Sequence, residues 1–248
     1  MLSVKNLGKK YLNGIWGISE FSLEVSCGEI VCIAGPNGSG KTTVINCILD
    51  VLNITTGTIH YNEISSKSEM YKKNVAYVSD DTILLDALTG REYIDFTARM
   101  YNLRDETKQK SLIQLFNLNH ALNQVISTYS HGMKKKTQLI CAFMLDCKMI
   151  VLDEPSRGLD VESIIFLKKL IHKFIKKGGS ILLSTHDLIA AEILCDRICI
   201  ISNGKKIAEG TPETLKEKYE ASDLEEVFMK SSLLSERGKE IEQIINNF

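Results

Sequence analysis

The stretch Ile30-Val31-Cys32-Ile33-Ala34-Gly35-Pro36-Asn37-Gly38-Ser39-Gly40-Lys41-Thr42 decides the fold. Its first five residues are continuously apolar, the pattern of a central strand covered on both faces. They lead directly into Gly35 to Thr42, an octet of Gly, four residues and Gly-Lys-Thr, and the segment from Thr43 to Leu52 then reads as helix. A surface turn would account for the glycines alone. The strand before them and the helix after them make a different prediction: loop amides and a helix N-terminus converge on one point and suit anionic phosphate oxygens. Lys41 is then expected to reach the β- and γ-phosphates and the Thr42 hydroxyl to bind Mg²⁺. Gly35, Pro36, Asn37, Gly38, Ser39, Gly40 and Thr43 complete the expected cradle.

Two further apolar runs, Met149-Ile150-Val151-Leu152 and Ile181-Leu182-Leu183-Ser184, flank a segment with apolar residues at helical spacing: Ile164, Leu167, Leu170, Ile171 and Phe174. Strand, crossover helix and strand is the grammar of a parallel sheet, so the core is expected to be α/β. The first of these strands closes on Asp153 and Glu154. An acidic pair on the surface needs no explanation, whereas carboxylates at the end of an apolar strand are poorly solvated unless something positive sits beside them. Asp153 is expected to help hold Mg²⁺, and Glu154 to orient and deprotonate a water attacking the γ-phosphate.

Outside this core the pattern changes. Leu2 to Val4 and Phe21 to Val25 alternate apolar and polar residues, as half-buried strands of an antiparallel edge layer would. From about Thr89 to Leu145 the spacing is almost wholly helical, with Tyr93, Phe96 and Met100, then Leu112, Leu115 and Phe116, then Leu139, Ile140 and Phe143. It predicts a helical insert over residues 82–145. Ile198 to Ser202 and Lys205 to Glu209 bracket Asn203-Gly204, a pair suited to a type I′ hairpin turn because both positions take positive φ. Pro212 opens a polar tail, expected to be helical over 212–248, in which Leu224, Val227 and Phe228 would pack back on the core.

The 248 residues carry a formal net charge of −1, with 44% hydrophobic and 25% charged residues. That is an ordinary globular composition. It provides no general basic field, so nucleic acid is not an expected partner. The seven cysteines form no close pairs at metal-finger spacing and lie mostly in apolar runs, as small buried hydrophobes in a reducing compartment do. Neither a signal-peptide pattern nor a run approaching ~20 apolar residues is evident. Any action at a membrane is therefore expected to need a partner that supplies the membrane part.

In their order, these motifs resemble those of ABC transporter ATP-binding subunits, a likeness that runs from about Leu2 to Glu209. It implies a P-loop NTPase core with a parallel sheet, an antiparallel β edge layer and a helical signature subdomain, all within an ATPase domain over 1–211. The resemblance also implies roles for further residues. Tyr11 stands where the family places an aromatic that stacks on adenine. Ser130-His131-Gly132-Met133-Lys134 resembles the family signature Leu-Ser-Gly-Gly, whose serine and following helix N-terminus bind the γ-phosphate held by an opposite subunit. Ser130 and Gly132 are thus expected to act in trans. Ser156-Arg157-Gly158-Leu159-Asp160 resembles the loop that communicates across that dimer, with Asp160 as its acidic residue. His186, in Ser184-Thr185-His186-Asp187, matches the switch histidine at the γ-phosphate. Tyr77-Val78-Ser79-Asp80 resembles a loop whose usual Gln reaches Mg²⁺, which puts Asp80 beside the metal.

Three departures accompany the likeness: Tyr129 in place of Leu, His131 in place of Gly, and Asp80 in place of Gln. The last adds a negative charge but keeps an oxygen ligand. An acidic residue there, Cys141-Ala142-Phe143 after the signature helix and Leu224-Glu225-Glu226-Val227-Phe228 in the tail are similar to bacterial exporter ATPases, the Ecs type among them. What the resemblance implies is an ATPase subunit that closes around two MgATP with a second copy or a related chain. It would drive a separate transmembrane permease, working in the cytoplasm on the inner face of the cell membrane. Two other classes stay open. One is a soluble ABC ATPase acting on nucleic acid or ribosomes, usually marked by two ATPase halves or a long coiled-coil insert. The other is a slow nucleotide-dependent regulatory switch.

Overall fold

In the computed structural model, which describes residues 1–103 and 106–232, the chain opens with β1 (Leu2–Lys10) and β2 (Trp16–Val25). The first apolar run becomes β3 (Ile30–Ala34), and the glycine-rich loop after it ends at α1 (Lys41–Ile48). Two short strands, β4 (Thr56–Tyr61) and β5 (Ile64–Ser65), and helix α2 (Glu69–Asn74) lead to β6 (Val75–Val78). The insert contains α3 (Gly90–Met100), α4 (Glu106–Leu115) and α5 (His131–Met144). Then come β7 (Met149–Asp153), α6 (Val161–Lys176), β8 (Ser180–Thr185) and α7 (Leu188–Leu194). The hairpin β9 (Arg197–Ser202) and β10 (Lys205–Gly210) is followed by α8 (Pro212–Tyr219) and α9 (Leu224–Ser231).

The strands assemble into two sheets. One is antiparallel in the order β2-β1-β4-β5. The other runs β10-β9-β3-β8-β7-β6 and is parallel except for β10. Strand β3 lies between β9 and β8, with Ile33 opposite both Cys199 and Ser184. Its loop therefore leaves from the middle of the sheet at the carboxyl ends of the strands, where open α/β sheets hold their ligands. Asp153 ends β7 opposite Ser184 of β8 and so reaches the same edge.

Side chains alternate across a strand, and the central strands divide theirs between two cores. Ile30, Cys32, Ala34, Ile150, Leu152, Ile181, Leu183, Ile198 and Ile200 join a core with residues of α5, α6 and the tail helices. Val31, Ile33, Met149, Val151, Leu182, Cys199 and Ile201 join another with β1, β2 and α1. Burial on both faces is the reason these segments read as unbroken apolar runs.

Local signals explain most element ends. Asn203 and Gly204 take φ of 48° and 70°, the twin positive values a type I′ turn needs. Helix α1 stops four residues short of the expected Leu52. Asp50 turns to φ 58°, and the N–H groups of Val51 and Leu52 both bond to the Asn46 carbonyl. Strand β4 is not signalled by the sequence pattern: Thr56, Gly57 and Thr58 are exposed and only Ile59 and Tyr61 are buried. In the tail, α9 buries Leu224 and Val227 and packs Phe228 against the first core. The rest of the expected tail, 233–248, lies outside the described residues. All seven cysteines are free, and all but Cys27 are buried. Among the described residues no helix is long and apolar enough to cross a membrane.

Candidate functional site

The loop after β3 enters α1 at Gly40, whose φ of 112° is open to glycine and scarcely to other residues. A Cβ there would also stand 2.7 Å from the Gly17 carbonyl oxygen. No side chain caps α1, so its first amides are left for another acceptor. Lys41 folds back over the loop, its Nζ donating to the carbonyls of Gly35 at 2.6 Å and Pro36 at 3.1 Å. Burial lowers the Lys41 pKa, while the carboxylates of Glu154 and Asp153 pull it the other way. The buried Ser39 hydroxyl has no hydrogen-bond partner. Thr43 shares a 3.0 Å hydrogen bond with the Tyr11 hydroxyl.

Across the cleft, Asp153 Oδ1 accepts a hydrogen bond from the Ser184 hydroxyl. Burial raises its pKa and the neighbouring carboxylates of Asp80 and Glu154 push the same way, against the Ser184 bond and Lys135. A nearby cation would relieve that strain. Glu154, just past the end of β7, takes φ 43°. Oε1 accepts from the His186 backbone N–H at 3.0 Å and meets His186 Nδ1 at 2.8 Å, and Oε2 accepts from the Thr185 hydroxyl at 3.2 Å. The end of β8 thus fixes the orientation of this carboxylate.

These groups meet in one cavity of about 340 Å³, a size suited to a small molecule. Asn37, Gly38, Gly40, Lys41, Thr42 and Thr43 form one wall, Asp80, Asp153 and Glu154 a second, and Tyr11, Ile15, Trp16, Gly17 and Gly204 a third. Gly35, Pro36 and Ser39 stand behind the first wall: the first two hold Lys41, and the Ser39 carbonyl accepts the Gly204 N–H at 2.9 Å. A larger cavity of about 710 Å³, beside Tyr101, Lys72 and Asp146, has no such cradle.

Besides Gly35, Pro36 and Ser39, four expected site residues do not line the cavity. Ser130 is the exposed N-cap of α5, its Oγ accepting from the Met133 N–H at 3.3 Å. Gly132 lies against the loop after β7, so close that a Cβ would stand 2.6 Å from the Gly158 carbonyl oxygen. Asp160 caps α6 through the Ser163 N–H at 2.8 Å and accepts from Lys136 Nζ at 2.7 Å. Those bonds hold its pKa well below the usual carboxylate range. His186, with its side chain 58% exposed, reaches the cavity through Glu154.

Among the residues that were not anticipated as part of the site, three stand out. Trp16 adds a second aromatic to the wall that carries Tyr11. Lys135 is fully buried, and its Nζ donates to the Ser79 carbonyl at 2.7 Å and the Asp153 carbonyl at 3.1 Å, tying α5 to the ends of β6 and β7. Its spacing to Gln138, Leu139 and Ala142 is the signal for that inward face. Arg157 forms a 2.6 Å ion pair with Asp80, a long-range pairing that no local pattern announces.

The donor set fits a triphosphate with a hard cation: uncapped amides, a lysine, the Thr42 hydroxyl and a carboxylate strained by burial. Among the described residues no three His, Cys, Asp or Glu side chains form a ready-made metal cage. A cation held by one or two carboxylates and by phosphate oxygens needs none.

A central parallel strand feeding a lysine-bearing phosphate loop, with paired carboxylates across the cleft, defines a P-loop nucleotide-binding protein. Residues 18–157 match the family described as ABC transporter, and the chain belongs to that family. Over 229 residues it is 34% identical to the ABC-type transporter ATP-binding protein EcsA of Bacillus subtilis (strain 168), covering 90% of this chain and 92% of that one. It is 30% identical to the ABC transporter ATP-binding protein NatA of the same organism, over 86% of this chain and 89% of that protein. A solved structure of an ATP-binding subunit of an ABC transporter superposes with a TM-score of 0.88 at 31% identity, covering 94% of this chain and 99% of its own. The chain is an ATP-binding ATPase subunit of the ABC type.

Proposed function

We propose that this subunit closes with a second ATPase subunit around two MgATP and thereby drives a separate transmembrane permease. One observation carries the reading. The cavity at Lys41 holds the phosphate loop and both carboxylates, while Ser130 and Gly132, at the start of α5, do not line it. A second copy of such a helix start would complete the site from outside. Thr42, Asp153 and Asp80 would hold Mg²⁺, which when bound neutralises phosphate charge. Lys41 binds the phosphates, and Tyr11 stacks on the base. Glu154, oriented by Thr185 and His186, takes a proton from the attacking water.

Export is the direction that the relatives support. The SkfA peptide export ATP-binding protein SkfE of Bacillus subtilis (strain 168) is 33% identical over 83% of this chain. The permease would hold the subunit at the inner face of the cell membrane. Glu154→Gln should leave ATP binding intact, lower phosphate release by roughly 100-fold or more, and accumulate an ATP-bound dimer visible by light scattering. Turnover at the unaltered rate would remove Glu154 from this role, and a chain that stays monomeric under saturating ATP, alone and with its permease, would end the two-subunit reading.

A further inference from the structure

The loop after β7 acts on the cavity through one residue outside it. Arg157 Nη1 donates to Asp80 Oδ2 at 2.6 Å. Asp80 Oδ1 is buried and has no hydrogen-bond partner. Asp80 lines the cavity beside Asp153 and Glu154, and Arg157 does not. One oxygen of this carboxylate is therefore tied, and the other has its bonding capacity unmet, an arrangement that is costly unless a donor or cation completes it.

The charges point the same way. Asp80, Asp153 and Glu154 all act on Lys41 and on Lys135, and Arg157 acts on Lys135 and pairs with Asp80. Without Arg157 the carboxylates would outnumber the cations at a site built for a polyanion. Arginine suits the task because its fork is planar and stays charged at any working pH.

We propose that Arg157 is a positioning residue: by occupying Oδ2 it leaves Asp80 a single oxygen for a metal ion, and so favours Mg²⁺ over Ca²⁺. This rests on the reading of the cavity as a MgATP site. Mg²⁺ demands near-ideal octahedral geometry, whereas Ca²⁺ accepts more ligands and often takes both oxygens of one carboxylate. A carboxylate with both oxygens free serves either ion. One held by Arg157 serves the smaller.

The test measures binding, without turnover. Trp16 is the single tryptophan and lines the cavity, so its fluorescence follows ATP binding to the full-length chain in saturating Mg²⁺ or Ca²⁺. The quantity is the ratio of the two apparent Kd values. Arg157→Ala is expected to shift that ratio toward Ca²⁺ by more than about three-fold, an ordinary coupling between touching residues, and Arg157→Lys to keep most of the native preference. In Asp80→Asn, whose amide offers one oxygen whatever its neighbour, adding Arg157→Ala should leave the ratio in place. A smaller shift in Arg157→Ala, or an equal shift with and without Asp80, overturns the proposal. Failure of the unaltered chain to bind ATP with either ion would instead overturn the reading of the cavity.

Discussion

The loop at Lys41 and the helix start at Ser130 are made of the same materials, glycine, a hydroxyl and a helix N-terminus, but they are finished differently. At the first, α1 has no side-chain cap, Ser39 Oγ is unpartnered and an ammonium arches over the amides. At the second, Ser130 already caps its own helix and His131 Nδ1 shares a 3.3 Å hydrogen bond with the Thr82 hydroxyl. The first is a cradle with most of its walls in place. The second is one wall, presented outward and held steady by its surroundings. Substitutions in the first region should change affinity in the isolated chain, and substitutions in the second should change stability or assembly.

Lys41→Ala is the largest expected effect on nucleotide affinity. Nucleotide affinity of the isolated chain should fall about ten- to a hundredfold, the equivalent of ~1.5–3 kcal/mol for lost charge-assisted hydrogen bonds, as read by Trp16 fluorescence. A fall of that size after Ser130→Ala would break the distinction.

Gly90→Ala tests the support of the second region. Tyr129 donates to the Ala121 carbonyl at 2.7 Å, and a Cβ at Gly90 would stand 2.1 Å from its hydroxyl oxygen. Overpacking of this kind costs ~1–3 kcal/mol, seen as a lower Tm, and Tyr129→Phe in the same chain should restore much of it. ATP affinity of the isolated chain should hardly change.

Lys135 joins the helix of the second region to the strand ends at Ser79 and Asp153 and supplies a pH signature. Burial pushes its pKa from 10.5 down to about 8. Between those values the folded chain has released a proton that the unfolded chain still binds, so this group makes stability rise with pH across that window. Below it, the buried charge weighs against folding in full. Lys135→Met should flatten that part of the curve of Tm against pH, whereas an unchanged slope would mean the ammonium is better solvated than its position implies.

Ser130→Ala is the smallest expected effect in the isolated chain, about 1 kcal/mol of stability for a lost helix cap. Its weight should appear in the assembled transporter, as lost ATPase activity at unchanged single-subunit affinity. Equal ATPase activity would sharpen the view of Ser130 as a cap and nothing more.

What could be foreseen follows how local each signal is. Ile30–Ala34 and Met149–Leu152 are legible because burial on two faces leaves no room for polar residues. The octet Gly35–Thr42 is legible because backbone geometry and ligand chemistry act within eight neighbouring positions. Helix α1 was expected to reach Leu52, since Leu49, Val51 and Leu52 continue the apolar pattern and nothing in the composition marks the turn at Asp50. Strand β4 escaped because half of it is exposed and polar. Lys135 was masked by the charged neighbours Lys134 and Lys136, although helical spacing puts it inside. Asp80 was expected beside the metal, but its pair with Arg157 spans 77 positions, and no local pattern links the two.

One detail of the third wall governs when the cavity can exist. Gly204 donates to the Ser39 carbonyl and accepts from the Ser19 N–H, both at 2.9 Å, so the hairpin turn clamps the phosphate loop to the edge layer. During synthesis, the octet emerges long before that clamp is made. A nascent chain must await the last strands before it can grip a nucleotide firmly, and its early folding has to proceed without help from one.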